Sequence, residues 1–344
     1  MDHFAGMDVS VKETSVCILD DAGKIVKEVK VASKPSSTSE GSGKSRLPLQ
    51  ADRTGSRAVV AMVIQRSGRS RVTSDLCGDA AHAGGVEGAD QQDRPHARGI
   101  AQMMRAGVYR PVHVKTLRSQ KLRMLLTHRK LLQSKAIAIE NDLRGTLRNF
   151  GLKVGMVRTA RFEVRIKELV ENLPDLAALV EPLLIVRRVL REQIVILHRR
   201  LLAIVRDDEV CRRLMTTPGV GPVVALTYRA TVDVPARFRK SKSVGAVFGL
   251  TCSKYQSGEV DRSGAISRCG DEMMRAMLYE AAHTMLVRST KWSWLKAWAM
   301  KIARHRGMKK AIVALARRLA VIMHRLWVDG TEFRWTREPA ATAA

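Results

Sequence analysis

The first 35 residues alternate between hydrophobic and polar positions as β-strands do. Alternating runs rich in β-branched residues occupy positions 4–11, 15–19 and 25–31, and a turn at 20–23 precedes the third run. This pattern predicts a β-hairpin followed by a third strand, at the edge of a mixed sheet.

From Ala97 onward the apolar residues recur at helical spacing. A short amphipathic helix is predicted at 97–106, ended by Gly107, and a long one at 116–149. Within a later helix, 183–206, apolar residues recur about every 3.5 residues. That period is typical of a coiled coil, antiparallel or between two chains, and equally of packing within one chain. Further helices are predicted at 159–172, 272–287, 291–305 and 309–326.

The segment 36–94 follows neither period. It contains 17 Gly or Ser among its 59 residues and no aromatic residue. Such a composition predicts disorder, although the segment is long for a linker inside a compact protein.

The charge balance points to a polyanionic partner. The 344 residues include 60 Lys and Arg against 33 Asp and Glu, which gives a net charge of +27. Between 94 and 139 there are 11 Lys or Arg and no acidic residue. Because Lys and Arg that neutralise phosphates release counterions, nucleic acid is the expected partner. The 45% hydrophobic content excludes a wholly disordered basic tail.

The sequence lacks the features of membrane-spanning and of secreted proteins. No run of 18 apolar residues is present, and MDHFAGMDVS has no signal-peptide pattern. The five cysteines are odd in number and show no CxxC spacing, so we expect reduced thiols in a cytoplasmic protein without membrane contact.

Asp8 is the first candidate for chemistry. It lies within the first apolar strand, where a carboxylate is costly to bury unless a partner such as a divalent metal ion compensates its charge. The alternative is an aspartate at the strand edge that faces water.

A second candidate is the turn TTPGVGP at 216–222. Gly219 and Gly221 stand between two prolines and precede an apolar helix, as in the hairpin of helix–hairpin–helix modules. Backbone N–H groups there contact DNA phosphates. A plain turn between two helices is the alternative.

A third candidate is the Gly- and Ser-rich segment after Pro235. A serine flanked by glycine is sterically open enough to act as a nucleophile, and the absence of a paired histidine means that it would attack phosphorus. On composition alone, a flexible loop is the better interpretation of this segment. Trp292, Trp294 and Trp298 fit a helix-packing cluster better than a platform for base stacking. The basic residues expected to contact nucleic acid are Arg237, Arg239, Lys240, Lys242, Lys254, Arg262, Arg268, Lys309 and Lys310.

Several motifs in a fixed order resemble the IS110 family of insertion-sequence transposases. They read GMDVSVK, DRPHARGIAQMMRAG, TTPGVGPVVAL and YQSGEVDRSGAISRCGDEMMRAMLYEAA, and the resemblance covers 1–35 and 95–335. It implies an α/β plus α architecture, in which a RuvC-like, ribonuclease-H-like mixed sheet spans 1–150. A helical coiled-coil segment at 151–208, a mainly helical transposase domain at 209–335 and a tail at 336–344 would follow.

The resemblance also implies a chemistry. Family members recombine DNA under the guidance of a structured RNA, with Mg²⁺ held by four acidic residues and with a serine nucleophile. The first acidic residue corresponds to Asp8, and the serine to Ser257 in YQSGE, ahead of Ser253 and Ser263. A homo-oligomer is the expected assembly.

The segment 36–94 departs from the family pattern. Asp93 falls at the third acidic position, but His96 stands where the fourth aspartate belongs, and no glutamate occupies the second position. Reading 51–63 one nucleotide later, with permissible codons, can give a string like RTGLEAGP, which contains the family's glutamate motif.

We therefore hypothesise that one frameshift near Pro35 and a compensating one near Pro95 replaced the middle of the acidic domain. This copy would then bind nucleic acid but cleave it weakly or not at all. The alternative is a non-catalytic, basic nucleic-acid-binding protein derived from a transposase.

Overall fold

The computed structural model describes residues 2–9, 13–32, 58–65, 74–76, 96–108 and 113–336. For 58–65, 74–76, Val9 and His96 it describes the backbone alone. The chain divides into two compact units, Met1–Lys115 and Thr116–Ala344, below called the N-terminal and C-terminal units.

The N-terminal unit contains a five-stranded sheet with the order β3-β2-β1-β4-β5. The three strands expected from the alternating pattern are present and form one side of the sheet, with β3 at its edge and β1 in the middle. All the described pairings are antiparallel, so the parallel pair that a mixed sheet requires is not among them. The strands are Asp2–Val9 (β1), Glu13–Asp20 (β2), Ile25–Ala32 (β3), Ala58–Gln65 (β4) and Ser74–Leu76 (β5).

Strands β4 and β5 fall inside the segment predicted to be disordered. For these two stretches the prediction is wrong, and the reason for β4 lies in its sequence, AVVAMVIQ, an apolar run in which β-branched residues favour a strand. The remaining parts of 36–94 lie outside the described residues.

The N-terminal unit is completed by helix α1 (His96–Arg105), which packs on the sheet. Gly6 makes this packing possible, because a Cβ at that position would lie 2.1 Å from the carbonyl oxygen of Ala97. Buried Cys17 and Leu19 of β2 contact buried Ala97 and Ala101 of α1.

The C-terminal unit is mainly helical, as predicted. The helices are Leu117–Asn149 (α2), Phe162–Val170 (α3), Pro174–Asp207 (α4), Glu209–Met215 (α5), Pro222–Val232 (α6), Val244–Val247 (α7), Glu272–His283 (α8), Trp294–Arg306 (α9) and Met308–Asp329 (α10). A hairpin of two strands, Cys252–Ser257 (β6) and Val260–Ile266 (β7), lies between α7 and α8. The predicted start of α4 at 183 is wrong, because the helix begins at Pro174 and continues through Pro182.

The C-terminal unit has two hydrophobic clusters. The smaller one joins α2, α3 and α4 around Phe162, Ile166 and Leu184. The larger one surrounds α6, α8 and α10, where the hydroxyl of fully buried Tyr228 donates to the carbonyl oxygen of Ala320 at 2.7 Å.

The tryptophan-rich stretch lies on the edge of the larger cluster. Trp294 and Trp298 pack against that cluster and flank the guanidinium of Arg318. The predicted helix-packing role is confirmed for these two residues. Trp292 differs from them, because its side chain is exposed.

The domain boundaries at 150 and 208 remain predictions. The compact units divide the chain at 115/116, since α2 packs against α4 and α6 within the C-terminal unit.

Candidate functional site

Ser257 lies at the tip of the β6–β7 hairpin. It is the last residue of β6, pairs with Val260 of β7 and is exposed. The intervening turn, Gly258–Glu259, has Gly258 at a φ of +55°, as at the first central position of a type II′ hairpin turn. The prediction of a flexible loop is therefore wrong here, because the backbone forms a paired ribbon.

The other two candidate serines have different surroundings. The hydroxyl of Ser253 donates to the carbonyl oxygen of Ala265 at 3.0 Å, and this hydrogen bond would have to break before Ser253 could act as a nucleophile. Ser263 pairs with Lys254, so these two side chains share the face of the ribbon opposite to Ser257. Of the three, Ser257 has the position next to the turn.

The base of the hairpin is fixed by close backbone contacts. A Cβ on Gly249 (φ +66°) would lie 2.1 Å from the carbonyl oxygen of Cys269, and one on Gly270 (φ +97°) would lie 2.0 Å from that of Val247. These two glycines therefore admit neighbouring backbone. They hold the hairpin against the segment that contains α7.

A basic segment, residues 235–243, precedes the hairpin. A buried histidine of α10 anchors this segment to that helix. His324 Nε2 lies 3.2 Å from the carbonyl oxygen of Pro235, which can only accept, so Nε2 carries the proton and Nδ1 accepts from the hydroxyl of Ser241 at 3.0 Å. Burial lowers the pKa of His324, which favours this neutral form. Sequence spacing gave no signal for this role, because both partners lie more than eighty residues away.

The basic residues of this segment are displayed to solvent. Arg239, Lys240 and Lys242 are exposed, and the guanidinium of Arg237 stacks over Phe238 at 4.4 Å from the ring centroid. Lys254, Arg262 and Arg268 are exposed on or beside the hairpin.

Lys309 and Lys310 are exposed in the first turn of α10. Positive charge is unfavourable at a helix N-terminus, so these lysines oppose the helix dipole unless an anion lies near them.

The turn between α5 and α6 contains both glycines of the TTPGVGP motif. Gly219 has a φ of +81°, and a Cβ there would lie 2.3 Å from the carbonyl oxygen of Ala281 on α8. Gly219 therefore serves packing against α8. Gly221, at the N-cap of α6, has open space where a Cβ would be, so a phosphate contact remains a prediction for that end of the helix only.

Part of the long acid-free stretch is neutralised from elsewhere in the C-terminal unit. Arg118 of α2 forms an ion pair with buried Asp208 at 2.9 Å, and Arg123 pairs with Asp271. Buried Asp233 accepts hydrogen bonds from the backbone and hydroxyl of Thr116 at the start of α2. The absence of acidic residues from this stretch therefore does not leave these two arginines unpaired, because their acidic partners are distant in sequence.

Asp8 lies in β1, between Ser15 of β2 and Val59 of β4, and is half-buried. It shares a sheet face with Gly6, against which α1 packs. Among the residues that the structure describes, no cluster of three or more His, Cys, Asp or Glu side chains forms a metal site. Asp93 and the side chain of His96 lie outside the described residues.

Comparisons with known proteins match both units. Residues 5–151 match a profile of DEDD transposases of the IS110 type, and residues 211–299 match one described as transposase IS116/IS110/IS902 family. The chain is 30% identical over 262 residues to y4pF/y4sB of Sinorhizobium fredii, which carries a transposase name; the alignment covers 74% of this chain and 66% of that relative. It is 28% identical over 251 residues to the transposase for insertion sequence element IS1111A of Coxiella burnetii, covering 72% and 69%.

The chain belongs to the IS110/IS116/IS902 family of transposases. Its alignments span about two thirds of the length of these curated relatives, 66% and 69%. The C-terminal match of this family member contains the whole β6–β7 hairpin with Ser257, and the N-terminal match contains Asp8. Searched over its described residues, this transposase has no helix long and apolar enough to cross a membrane.

Proposed function

We propose that this protein is the transposase of an insertion sequence and that it cleaves and joins DNA in the cytoplasm through Ser257. The observation that carries the proposal is the exposed Ser257 at the tip of a ribbon whose base is fixed by close backbone packing and which carries exposed basic residues. Such an arrangement can present a hydroxyl to a DNA phosphate while the neighbouring cations attract the backbone.

The proposed step is a phosphoryl transfer to serine. The Ser257 oxygen bonds to phosphorus, one backbone P–O bond of the DNA breaks, the serine proton passes to solvent, and the departing sugar oxygen takes up a proton. Reversal with a different DNA end would join strands. Exposed Arg262 lies on the same face of the ribbon as Ser257 and can offset the charge on the phosphate.

Mg²⁺ is the metal that the family resemblance implies, but the described residues do not by themselves fit it. Asp8 supplies one carboxylate, whereas a Mg²⁺ site in a recombinase of this kind draws on several oxygen ligands.

We propose that cleavage by this copy is impaired because its acidic set is incomplete. His96 occupies the position of one aspartate, and the segment 36–94 lacks the glutamate motif. The frameshift hypothesis explains the missing glutamate motif, and it explains His96 as well if the compensating shift falls just after codon 96. Translation of the gene in the other frame between codons 35 and 95 should give the acidic motifs, and failure to find them would reject the hypothesis.

The serine chemistry is tested in a chain whose reading frame is restored between 35 and 95. We expect this chain to form a covalent protein–DNA adduct that survives denaturation, and Ser257→Ala to lose it. Ser263→Ala, on the opposite face of the ribbon, should retain the adduct. An adduct that persists in Ser257→Ala would exclude Ser257 as the nucleophile.

The second candidate function is nucleic-acid binding without catalysis. This function is favoured because the basic segment and the hairpin are intact, whereas the set of four acidic residues implied by the family resemblance is incomplete. The unrestored chain should bind DNA yet yield no adduct; a Mg²⁺-dependent adduct from it that disappears in Asp8→Ala would contradict the impairment.

Homo-oligomerisation and a structured guide RNA complete the proposal. The oligomer is supported by an exposed apolar stripe along α4, formed by Leu179, Val186, Val189 and Ile196. Val189→Glu with Ile196→Glu should convert the oligomer to a monomer in light scattering, whereas Arg199→Glu on the same helix should not. An unchanged mass would place the contact elsewhere.

A further inference from the structure

The two faces of the β6–β7 ribbon carry different chemistry. Tyr255 pairs with Arg262 and Ser257 pairs with Val260. Because side chains alternate along a strand and paired residues point the same way, these four side chains share one face. The other face carries Lys254 with Ser263, and Gln256 with Asp261.

Tyr255 is exposed to an extent unusual for an aromatic side chain. Its relative exposure is 67%, in a chain where Tyr228 and Phe248 are fully buried. Among the described residues, no ring contact, cation–π contact or side-chain hydrogen bond to Tyr255 is found, and Arg262 has no ion pair. An aromatic ring and a guanidinium therefore stand side by side, open to solvent, on the face that presents Ser257.

This pair of groups suits one kind of ligand. Aromatic rings stack on nucleobases, and arginine binds phosphate and adds a cation–π contribution. Residues two apart on a strand are about 6.6 Å from each other, so a base on Tyr255 would belong to a nucleotide beside the phosphate at Ser257. A base stacked within a duplex does not offer its face to a side chain, so the nucleotide must be unpaired.

We propose that Tyr255 and Arg262 hold one unpaired DNA nucleotide next to the phosphate that Ser257 attacks, with Tyr255 stacking on the base and Arg262 binding its phosphate. The proposal rests on the proposed function, and it makes both residues positioning residues. On the opposite face, Lys254 contributes positive charge to DNA binding, and this contribution does not depend on base stacking.

The test uses the full chain and single-stranded DNA of about 20 nucleotides, a length that exceeds common single-strand site sizes. The strands carry several 2-aminopurines, whose fluorescence is quenched by stacking, and the same strands annealed to their complements serve for comparison. Tyr255→Ala should remove the quenching and weaken single-strand binding about tenfold, as for one lost stacking contact. Duplex affinity should stay unchanged, and Tyr255→Phe should behave as the parent chain.

Matched variants separate stacking from charge. Gln256→Ala, one residue away on the opposite face, should change neither quenching nor affinity. Arg262→Ala should lower the slope of log affinity against log salt by about 0.7, the value for one phosphate of a single strand, and Arg262→Lys should restore most of that slope.

Several outcomes would overturn the inference: quenching that survives Tyr255→Ala, an equal loss of single-strand and duplex binding, or a Tyr255-dependent preference for RNA over DNA of the same sequence. Ser257→Ala should keep the quenching, since stacking needs no hydroxyl at 257. Loss of the serine adduct chemistry with quenching intact would therefore reject the proposed function alone, and the reverse result would reject this inference alone.

Discussion

The two units of this transposase differ in how much buried structure supports their candidate chemistry. The N-terminal unit holds Asp8 on a sheet whose described core is the cluster of Cys17, Leu19, Ala97 and Ala101. The C-terminal unit holds Ser257 on a hairpin anchored to a far larger core. Damage to the acid-bearing unit can therefore remove cleavage while the unit with the serine and the basic segment stays folded.

The largest expected effect tests the packing of the C-terminal unit. Gly219→Ala should lower its free energy of unfolding by roughly 2–5 kcal/mol, because the new Cβ adds left-handed backbone strain to overpacking against α8. Thermal denaturation followed by circular dichroism measures this as a fall in Tm.

Gly221→Ala is the matched control, since it changes the same turn at an open position. It should move Tm by much less. If Gly219→Ala instead kept its Tm and lost DNA affinity, the turn would serve phosphate binding and our assignment of Gly219 to packing would be wrong.

A smaller effect is expected from the equivalent change in the N-terminal unit. Gly6→Ala would place a Cβ against the backbone of α1 and should destabilise its docking by roughly 1–3 kcal/mol, without left-handed strain. Hydrogen exchange of the α1 amides should accelerate, while the main transition of the C-terminal unit stays in place.

Gly99→Ala, at an open and exposed position of α1, is the control and should instead stabilise the helix by about 0.5–1 kcal/mol. A shift of the C-terminal transition in Gly6→Ala equal to that in Gly219→Ala would show that the two units unfold as one, and the contrast between them would fail.

Most helices were predictable because their apolar period is strong, whereas the β6–β7 ribbon was not. Its residues are polar on both faces and include Gly264, so no alternation is visible although the backbone pairs. The start of α4 was missed because Pro182 reads as a boundary yet lies inside the helix.

The candidate site was predictable only where a motif marks it. The YQSGE motif marks Ser257, but the sequence does not indicate the hydrogen bond between His324 and Ser241 or the one from Thr116 to Asp233. These contacts join residues 83 and 117 positions apart, and a single sequence has no local signal for such pairs.

The smallest expected effect is a difference between the two units in their response to pH. Burial lowers the pKa of His324, while the hydrogen bond to the carbonyl oxygen of Pro235 and the charge of Asp329 oppose that shift. Because the folded chain disfavours the protonated ring, its stabilising contribution is complete above pH about 6.5, the ordinary histidine value, and is lost as pH falls below it. The protection factors of the amides at 235–243, corrected for the intrinsic pH dependence of hydrogen exchange, should therefore fall between pH 7.5 and 5.5.

The N-terminal unit should respond in a lower pH range. A hydrogen bond from Arg98 lowers the pKa of Glu28 from its ordinary 4.5, so the pair that links α1 to β3 persists above that pH and weakens only as pH falls below it. At pH 5.5 the basic segment should be loosened and α1 should not. His324→Gln has no titrating ring and should abolish the difference at 235–243, whereas Ser241→Ala keeps the bond to Pro235 and should retain it. An equal fall in protection factors in both regions at pH 5.5 would mean that neither group controls its unit.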